Sequence, residues 1–295
     1  MKSWVVKLFL SSRYLLGIAA GLLLAVALPG IGVAGFAWIA PGLMVLAALG
    51  TRGRQTWRVG YVAGLAYYLA SLSWLLCIPY RWHSIPIGPI TGWLALCAYL
   101  ALYPACWVWL ATKISGVRGW VPGESDPRTI WLQGVRQLAG QNWSRRVFWA
   151  LACAAIWVAL EMIVTRLLGG FPWNLLGASQ ERVVPLIQVA SFTGVYGVSF
   201  LVVWCSVSLL CAGSVILRRP HLTSAWMGEV LLPLTAVIAL FVFGFHRMAQ
   251  SPAGSRELRV TLIQPSIPQT LIWDPAKSDE RFQGLIRLSE SALGD

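Results

Sequence analysis

Residues Tyr14–Thr51 read YLLGIAAGLLLAVALPGIGVAGFAWIAPGLMVLAALGT and contain no charged side chain. A helix needs roughly 20 apolar residues to cross the hydrocarbon core of a bilayer. The stretch is therefore long enough for two membrane spans, with a turn at Pro29–Gly32, where proline and glycine interrupt the apolar run. Four further stretches also lack charge, namely Val59–Tyr80, Trp82–Thr112, Val183–Leu217 and Val230–His246.

The composition of the whole chain agrees with this pattern. Of its 295 residues, 57% are hydrophobic and 12% are charged, whereas a soluble domain carries about 25% charged residues. An ordinary soluble domain is excluded because its surface could not be covered with polar groups, and disorder is excluded because it requires low hydrophobicity. The six cysteines all lie in apolar runs, where a reduced thiol acts as a small hydrophobe, which argues against a disulfide scaffold.

We therefore predict a mainly α, polytopic membrane helix bundle of about seven spans, formed by residues 1–250. The predicted spans lie near 14–29, 34–50, 59–79, 90–112, 147–168, 194–217 and 229–246. The connection 114–146, the longest between spans, is interpreted as a surface loop without chemistry. Cleavage of the first apolar segment as a signal peptide after Ala25–Ala27 is an alternative that leaves the other spans unchanged.

The net charge of +12 has two explanations, a nucleic-acid footprint or the flanking charge of a multi-span membrane protein. If the N-terminus is cytoplasmic, fourteen basic residues fall on the inner side. Three fall on the outer side, either in the connections between spans or near the end of a span. This bias favours the membrane protein, with the tail after Arg247 on the outer side and no nucleic-acid partner. The inner residues are Lys2, Lys7, Arg13, Arg52, Arg54, Arg58, Lys113, Arg118, Arg128, Arg136, Arg145, Arg146, Arg218 and Arg219.

One ionisable residue, Glu161, lies inside a predicted span, where charge is costly and faces a partner or a cavity. Two interpretations are open: a buried ion pair with Arg166, or a polar contact that lines a cavity for a lipid headgroup. The following segment, 169–180, is broken by glycine and proline. It is either a simple interfacial turn or one wall of a site for an amphiphile.

The segment also resembles a known family, bacterial apolipoprotein N-acyltransferase. The resemblance begins at Glu161 and at Gly170–Trp173, which reads GFPW, and continues at Ser179–Gln180. It extends through Pro185–Gln188 (PLIQ) and Gly194–Phe200 (GVYGVSF).

A second matching block follows the last predicted span. Arg259–Gln264 is predicted to be a strand because of its β-branched residues, and Pro265–Gln269 and Leu271–Pro275 follow it. A helix is predicted near 276–293, with Phe282, Leu285, Ile286 and Leu293 on one apolar face. Residues 251–295 thus resemble the start of the family's αββα nitrilase-like (carbon–nitrogen hydrolase) domain.

The resemblance implies lipid-dependent acyl transfer in a bacterial inner membrane. Together with the charge bias, this predicts a cytoplasmic N-terminus and a periplasmic tail. A cysteine thiolate of the family attacks an acyl ester of a membrane phospholipid and releases the lysophospholipid. The N-terminal diacylglyceryl-cysteine of an apolipoprotein then accepts the acyl group. Neither a cofactor nor a metal is implied. The substrate-binding candidates are Glu161, Phe171, Pro172, Trp173, Gln180, Gln264, Gln269 and Trp273.

The sequence departs from the family at the catalytic residues. The family's catalytic Glu lies in a Trp-Pro-Glu segment that does not occur here, no Cys follows Cys211, and Lys277 lies too early to be the catalytic Lys. We therefore expect a truncated or split enzyme without a catalytic residue in this chain, completed by a separate polypeptide that carries the rest of the nitrilase-like domain. We expect the tail to be poorly ordered or docked on the membrane domain. A non-catalytic scaffold that binds phospholipid or lipoprotein is the main alternative, and a transporter is a third.

Overall fold

The computed structural model of the chain describes residues 2–77, 87–117, 127–218, 224–250, 260–268, 272 and 274–293. Within these ranges, only the backbone is described for residues 2–11, 127–129 and 224–225. The chain divides into two compact units. The first comprises Met1–Ile78 and Ile87–Ala249, and the second comprises Pro79–Pro86 and Gln250–Asp295.

The described residues of the first unit form helices joined by turns and short irregular segments. Its α-helices are α1 (Lys2–Ala27), α2 (Ala40–Ala48), α3 (Arg54–Ser71), α4 (Gly88–Leu100), α5 (Leu102–Ile114), α6 (Pro127–Ala139), α7 (Trp143–Val164), α8 (Val184–Ile187), α9 (Ala190–Arg218) and α10 (Ser224–Ala249). Short 3₁₀ turns occur at Ala34–Trp38, Ser73–Cys77, Leu167–Gly169 and Leu176–Gln180.

Four helical stretches of the described chain are long and apolar enough to cross a membrane. They are Gly88–Ile114, Trp143–Val164, Ala190–Arg218 and Trp226–Ala249. They correspond to the predicted spans 90–112, 147–168, 194–217 and 229–246, and confirm these as apolar helices. Ser12–Ala27, in the predicted first span, is a shorter apolar helix.

Two predicted spans differ from the structure. Residues 34–50 do not form one helix, because the chain turns at Ile39, with φ −121° and ψ −31°, between a 3₁₀ turn and the nine-residue α2. The predicted span 59–79 is shifted, since α3 begins at Arg54 and ends at Ser71. The predicted count of seven spans is thus not confirmed, since four helices among the described residues are long and apolar enough to cross a membrane.

The connection 114–146 is not the plain surface loop that was predicted. It contains α6, which buries Val135 and Leu138, and the indole Nε1 of Trp131 donates to the Leu46 carbonyl at 3.0 Å. The spacing of these three side chains, four and then three residues apart, gives the helix one apolar face, which explains why it packs against the bundle.

Contacts between helices define two ends of the first unit. At the first, which we call the basic end, Arg13 donates to the Leu49 carbonyl at 3.0 Å and Arg218 donates to the Arg136 carbonyl at 3.1 Å. At the other, which we call the loop end, Trp38 donates to Gln180 at 3.0 Å. Segment 34–49 therefore runs from the loop end to the basic end.

Glu229 is a second buried acid, which the sequence pattern did not single out. At the basic end, Arg146 on α7 donates through Nε to Glu229 Oε1 on α10 at 2.5 Å, and both side chains are at least 95% buried. Arg146 also donates to the carbonyls of Ala139 and Gln141. The charge pattern places Arg146 among the basic residues of the inner side. The structure adds that its side chain is buried and joins α7 to α10.

In the second unit, Val260–Pro268 belong to no helix or strand. The predicted strand Arg259–Gln264 is therefore absent over residues 260–264, and a strand requires pairing partners that this described segment does not have. The predicted helix is confirmed as α11 (Ser278–Leu293), preceded by a turn at Pro275–Lys277. Asp274 caps that turn, because its Oδ1 accepts a hydrogen bond from the Ala276 amide at 2.9 Å.

Candidate functional site

Glu161 lies in the last turn of α7, where it holds the following loop. Its Oε1 accepts hydrogen bonds from the indole of Trp157, one helical turn earlier, at 2.9 Å, and from the backbone amide of Leu176 at 2.8 Å. The residue is only 8% exposed. Glu161 therefore anchors the 3₁₀ turn Leu176–Gln180 to the end of α7.

The ion pair between Glu161 and Arg166 is not formed. Arg166 is exposed and donates to the Met162 carbonyl at 3.0 Å. Residues five positions apart do not share a helix face, and the helix ends between the two. The second carboxyl oxygen, Oε2, is buried and has no hydrogen bond within 3.5 Å to the residues that the structure describes, and the side chain of Ser199 also interacts with this carboxyl group.

A narrow cleft opens beside Glu161. The space in it that the centre of a water molecule can occupy is about 30 Å³, which suffices for a few water positions. Without movement of its side chains the cleft admits only a small polar group. It is lined by Tyr67, Tyr68, Tyr103, Pro104, Trp107, Trp157, Leu160, Glu161, Val164, Trp173, Asn174 and Leu175.

Two glycines turn the chain back toward this cleft. Gly169 and Gly170 have φ values of 89° and 81°, a conformation that other residues rarely adopt. A Cβ atom on Gly170 would also lie 2.3 Å from the Thr165 carbonyl oxygen. The reversal allows the amide of Phe171 to donate to the Val164 carbonyl at 2.8 Å, so that the GFPW segment folds against the end of α7.

The aromatic residues of this segment form a stack at the loop end. Trp173 lies parallel to Trp74 with ring centroids 4.9 Å apart, and parallel to Phe171 at 6.3 Å. Trp173 is 52% exposed and Trp74 is 40% exposed. Pro172, between the two stacked residues of the loop, is exposed. The stack therefore offers a large apolar surface.

Asn174 fixes the position of this stack. It adopts φ 61°, its side-chain amide donates to Ser71 at 2.8 Å, and its carbonyl accepts from the Tyr67 hydroxyl at 2.8 Å. Trp173 and Asn174 also line a second, wider cavity of about 480 Å³, so that they separate two spaces. The other residues that line the wider cavity are Ala25, Leu28, Pro29, Gly30, Ile31, Ala70, Ser71, Ser73, Trp74 and Ala178.

Gln180 lies in the same loop but faces protein partners. Its Oε1 accepts from Trp38, and its Nε2 donates to the Ala34 carbonyl at 3.2 Å and to Ser179 Oγ at 2.9 Å. The residue is 1% exposed. Its side chain therefore holds the 3₁₀ turn Ala34–Trp38 against the loop.

The motif Gly194–Phe200 packs on the loop from the other side. Ser199 Oγ accepts from the Gly177 amide at 2.8 Å, and the Tyr196 hydroxyl lies 3.0 Å from Thr165 Oγ1. A Cβ atom on Gly177 would lie 2.4 Å from the Val195 carbonyl oxygen. Helix α9 and the loop therefore approach closely enough to require glycine at this position.

The structure brings Glu161 and Trp173 together at one cleft, with Phe171 stacked on Trp173 and Pro172 adjacent. Gln264 belongs to the second unit, where it is exposed. Gln269 and Trp273 lie outside the described residues. Sequence reasoning missed Tyr67, Tyr68, Trp74 and Asn174. The two adjacent tyrosines inside the apolar run 59–79 were a usable signal, whereas nothing in the sequence distinguished Trp74 from the other tryptophans.

Comparison with known proteins finds the same family that the sequence motifs resemble. Residues 20–208 match a family described as the apolipoprotein N-acyltransferase N-terminal domain. The chain is 33% identical over 281 residues to an apolipoprotein N-acyltransferase of Geobacter metallireducens, covering 95% of this chain and 48% of that protein. It is 28% identical over 258 residues to the protein of that name from Nitrosomonas europaea, covering 85% of this chain and 44% of the relative. The chain thus spans about half the length of these curated relatives.

Proposed function

Since the chain belongs to the apolipoprotein N-acyltransferase family, we propose that its helical unit binds the lipid substrates of an N-acyl transfer. The donor is a membrane phospholipid and the acceptor is a diacylglyceryl apolipoprotein. The observation that carries the proposal is the arrangement at the loop end. There, a buried acidic side chain, one of whose oxygens has no hydrogen bond within 3.5 Å to the described residues, lies beside an exposed aromatic stack.

This arrangement suits an amphiphile, because it combines an apolar surface with a polar group in a narrow space. Trp173, Phe171 and Pro172 contact the lipid, and Trp173 divides the narrow cleft from the wider cavity. Glu161 and Gln180 hold the loop through hydrogen bonds to the protein. In the family reaction the acyl group passes through a cysteine thioester, and we assign that nucleophilic role to none of the described residues.

We also propose an orientation in the membrane. The basic end lies at the cytoplasmic face of a bacterial inner membrane and the loop end at the periplasmic face. Support comes from segment 34–49, which connects the two ends, so that seven passes are compatible with the contacts. Gln264, Gln269 and Trp273 then belong to a periplasmic nitrilase-like segment.

The test is replacement of Trp173 by alanine. Its exposed half corresponds to roughly 100 Å² of apolar surface, which at about 25 cal/mol per Å² is about 2.5 kcal/mol, or up to about seventyfold in affinity. We expect a loss of at least about tenfold in phospholipid binding, measured by mass spectrometry of lipid retained by the purified chain. Phe148→Ala is the control, because Phe148 is 71% exposed on α7 and lies near the opposite end of that helix. Equal binding by the two variants would refute the proposal.

A further inference from the structure

A second apolar groove runs from Ile39 toward the basic end, and neither Glu161 nor the aromatic stack lines it. It is bounded by α2, α6 and α9 and has a volume of about 240 Å³. Along α9 it extends from Ser206 to Leu217, which corresponds to roughly 16 Å of helix. The residues that form most of its surface include Leu43, Leu46, Trp131, Val135, Leu209 and Gly213.

The surface of the groove is apolar because its two hydroxyl groups are engaged by the protein. Ser206 Oγ accepts from the Gly42 amide at 2.8 Å, and Ser214 Oγ donates to the Leu210 carbonyl at 2.8 Å. Leu209 and Leu217 are 46% and 79% exposed, so the groove is accessible from outside the protein along α9. A hydrocarbon chain suits such a surface, whereas a polar ligand would lack partners.

Positive charge lies at the basic end of this groove. Arg218 directly follows Leu217, and one of its terminal nitrogens donates to the Arg136 carbonyl at 3.1 Å, which holds it beside α6. Arg136 follows Val135, and both arginines are exposed. The stretches 39–46, 130–140 and 206–218 contain no acidic residue. A negatively charged group at this end would therefore be attracted without competition from these segments.

We propose that this groove binds one anionic phospholipid, with an acyl chain along α9 and its phosphate at Arg136 and Arg218. The occupant is a resident lipid of the membrane leaflet at the basic end, distinct from the substrates of the proposed acyl transfer. Its acyl chain fills the space between α2, α6 and α9, and its headgroup ties α6 to α9.

The experiment uses the purified full chain and two probes with the same acyl chains, dioleoyl-phosphatidylglycerol and dioleoyl-phosphatidylcholine. Bound lipid is counted by native mass spectrometry during titration. The double variant Arg136→Gln/Arg218→Gln removes the headgroup contacts. Gly213→Leu fills the groove, because a Cβ atom on Gly213 meets nothing within 4 Å. The matched controls are Arg58→Gln, an exposed arginine on α3, and Gly92→Leu, an exposed helical glycine whose Cβ also meets nothing within 4 Å.

We expect the wild-type chain to prefer phosphatidylglycerol. The double variant should weaken phosphatidylglycerol binding roughly 25-fold, from about fivefold for each arginine, and weaken phosphatidylcholine binding less, because the choline cation offsets the charge of the phosphate. Gly213→Leu should weaken binding of both lipids, and neither control should change it. Melting temperatures identify a variant that fails to fold. If Gly213→Leu fails to fold, the double variant decides the test, because both of its substitutions are on exposed side chains.

Three results would overturn the inference. Equal binding of phosphatidylglycerol by the double variant and the wild type excludes the headgroup site. Equal binding of both lipids by Gly213→Leu and Gly92→Leu excludes the groove. Loss of phosphatidylglycerol in Trp173→Ala but not in Gly213→Leu places the bound lipid at the loop end, an outcome that leaves the proposed function intact.

Discussion

Paired replacement of Glu161 by alanine and by glutamine measures how strongly this side chain holds the loop. Glutamine keeps an acceptor oxygen for the Trp157 indole and the Leu176 amide, which bond to Glu161 Oε1 at 2.9 and 2.8 Å. Alanine removes that acceptor and leaves both donors unpaired. Both variants remove the carboxylate charge, so their difference reports the two hydrogen bonds together with the cavity that alanine leaves.

The magnitude follows from the number of bonds. A hydrogen bond to a neutral acceptor contributes about 1 kcal/mol, so Glu161→Ala should be less stable than Glu161→Gln by about 2 kcal/mol. At about 2–4 °C per kcal/mol for a chain of this size, the melting temperatures should differ by roughly 4–8 °C. The cavity left by alanine adds to this difference.

The assay can use the chain's own thiols. Cys97, Cys153, Cys205 and Cys211 are free and buried, whereas Cys77 is free and exposed. A thiol-reactive dye in detergent solution therefore labels Cys77 at once and the buried cysteines only on unfolding. Melting temperatures of the two variants within 1 °C of each other would show that Glu161 does not anchor the loop.

Two further predictions concern the charged pairs of the two units. Glu229→Gln removes the negative charge that compensates the buried Arg146 guanidinium and should cost about 3–5 kcal/mol. The joint change Arg146→Met/Glu229→Leu should recover most of that loss in the same melting assay; a double variant as unstable as the single one would contradict this. In the second unit, a hydrogen bond with Lys277 and the charge of that residue lower the pKa of Glu280, and the same bond raises the pKa of Lys277. The stabilisation of α11 by this pair is thus present at neutral pH, is lost as the pH falls through the lowered pKa of Glu280, and is lost again as the pH rises through the raised pKa of Lys277. Lys277→Gln should move the pKa of the Glu280 carboxyl upward in an NMR titration, and an unchanged carboxyl titration would exclude the pair.

The membrane character of the chain could be predicted because it depends on local composition. Runs such as Val183–Leu217 carry enough apolar residues to cross a bilayer in whichever order the helices pack. The importance of Glu161 was also visible, because an acid inside an apolar run is costly wherever it lies. Glu161 has two partners, Trp157 one helical turn earlier and the amide of Leu176. The second could not be predicted, and sequence spacing suggested Arg166 instead.

The sequence by itself thus determined which segments are apolar, where glycine and proline interrupt them, and which family the loop resembles. Only the tertiary structure decided that Trp74 stacks on Trp173, that Arg146 pairs with Glu229, and that α6 packs against the bundle. The physical reason is distance along the chain. Hydrophobicity and backbone preference act within a few residues, whereas these contacts join segments that become neighbours only when the helices pack.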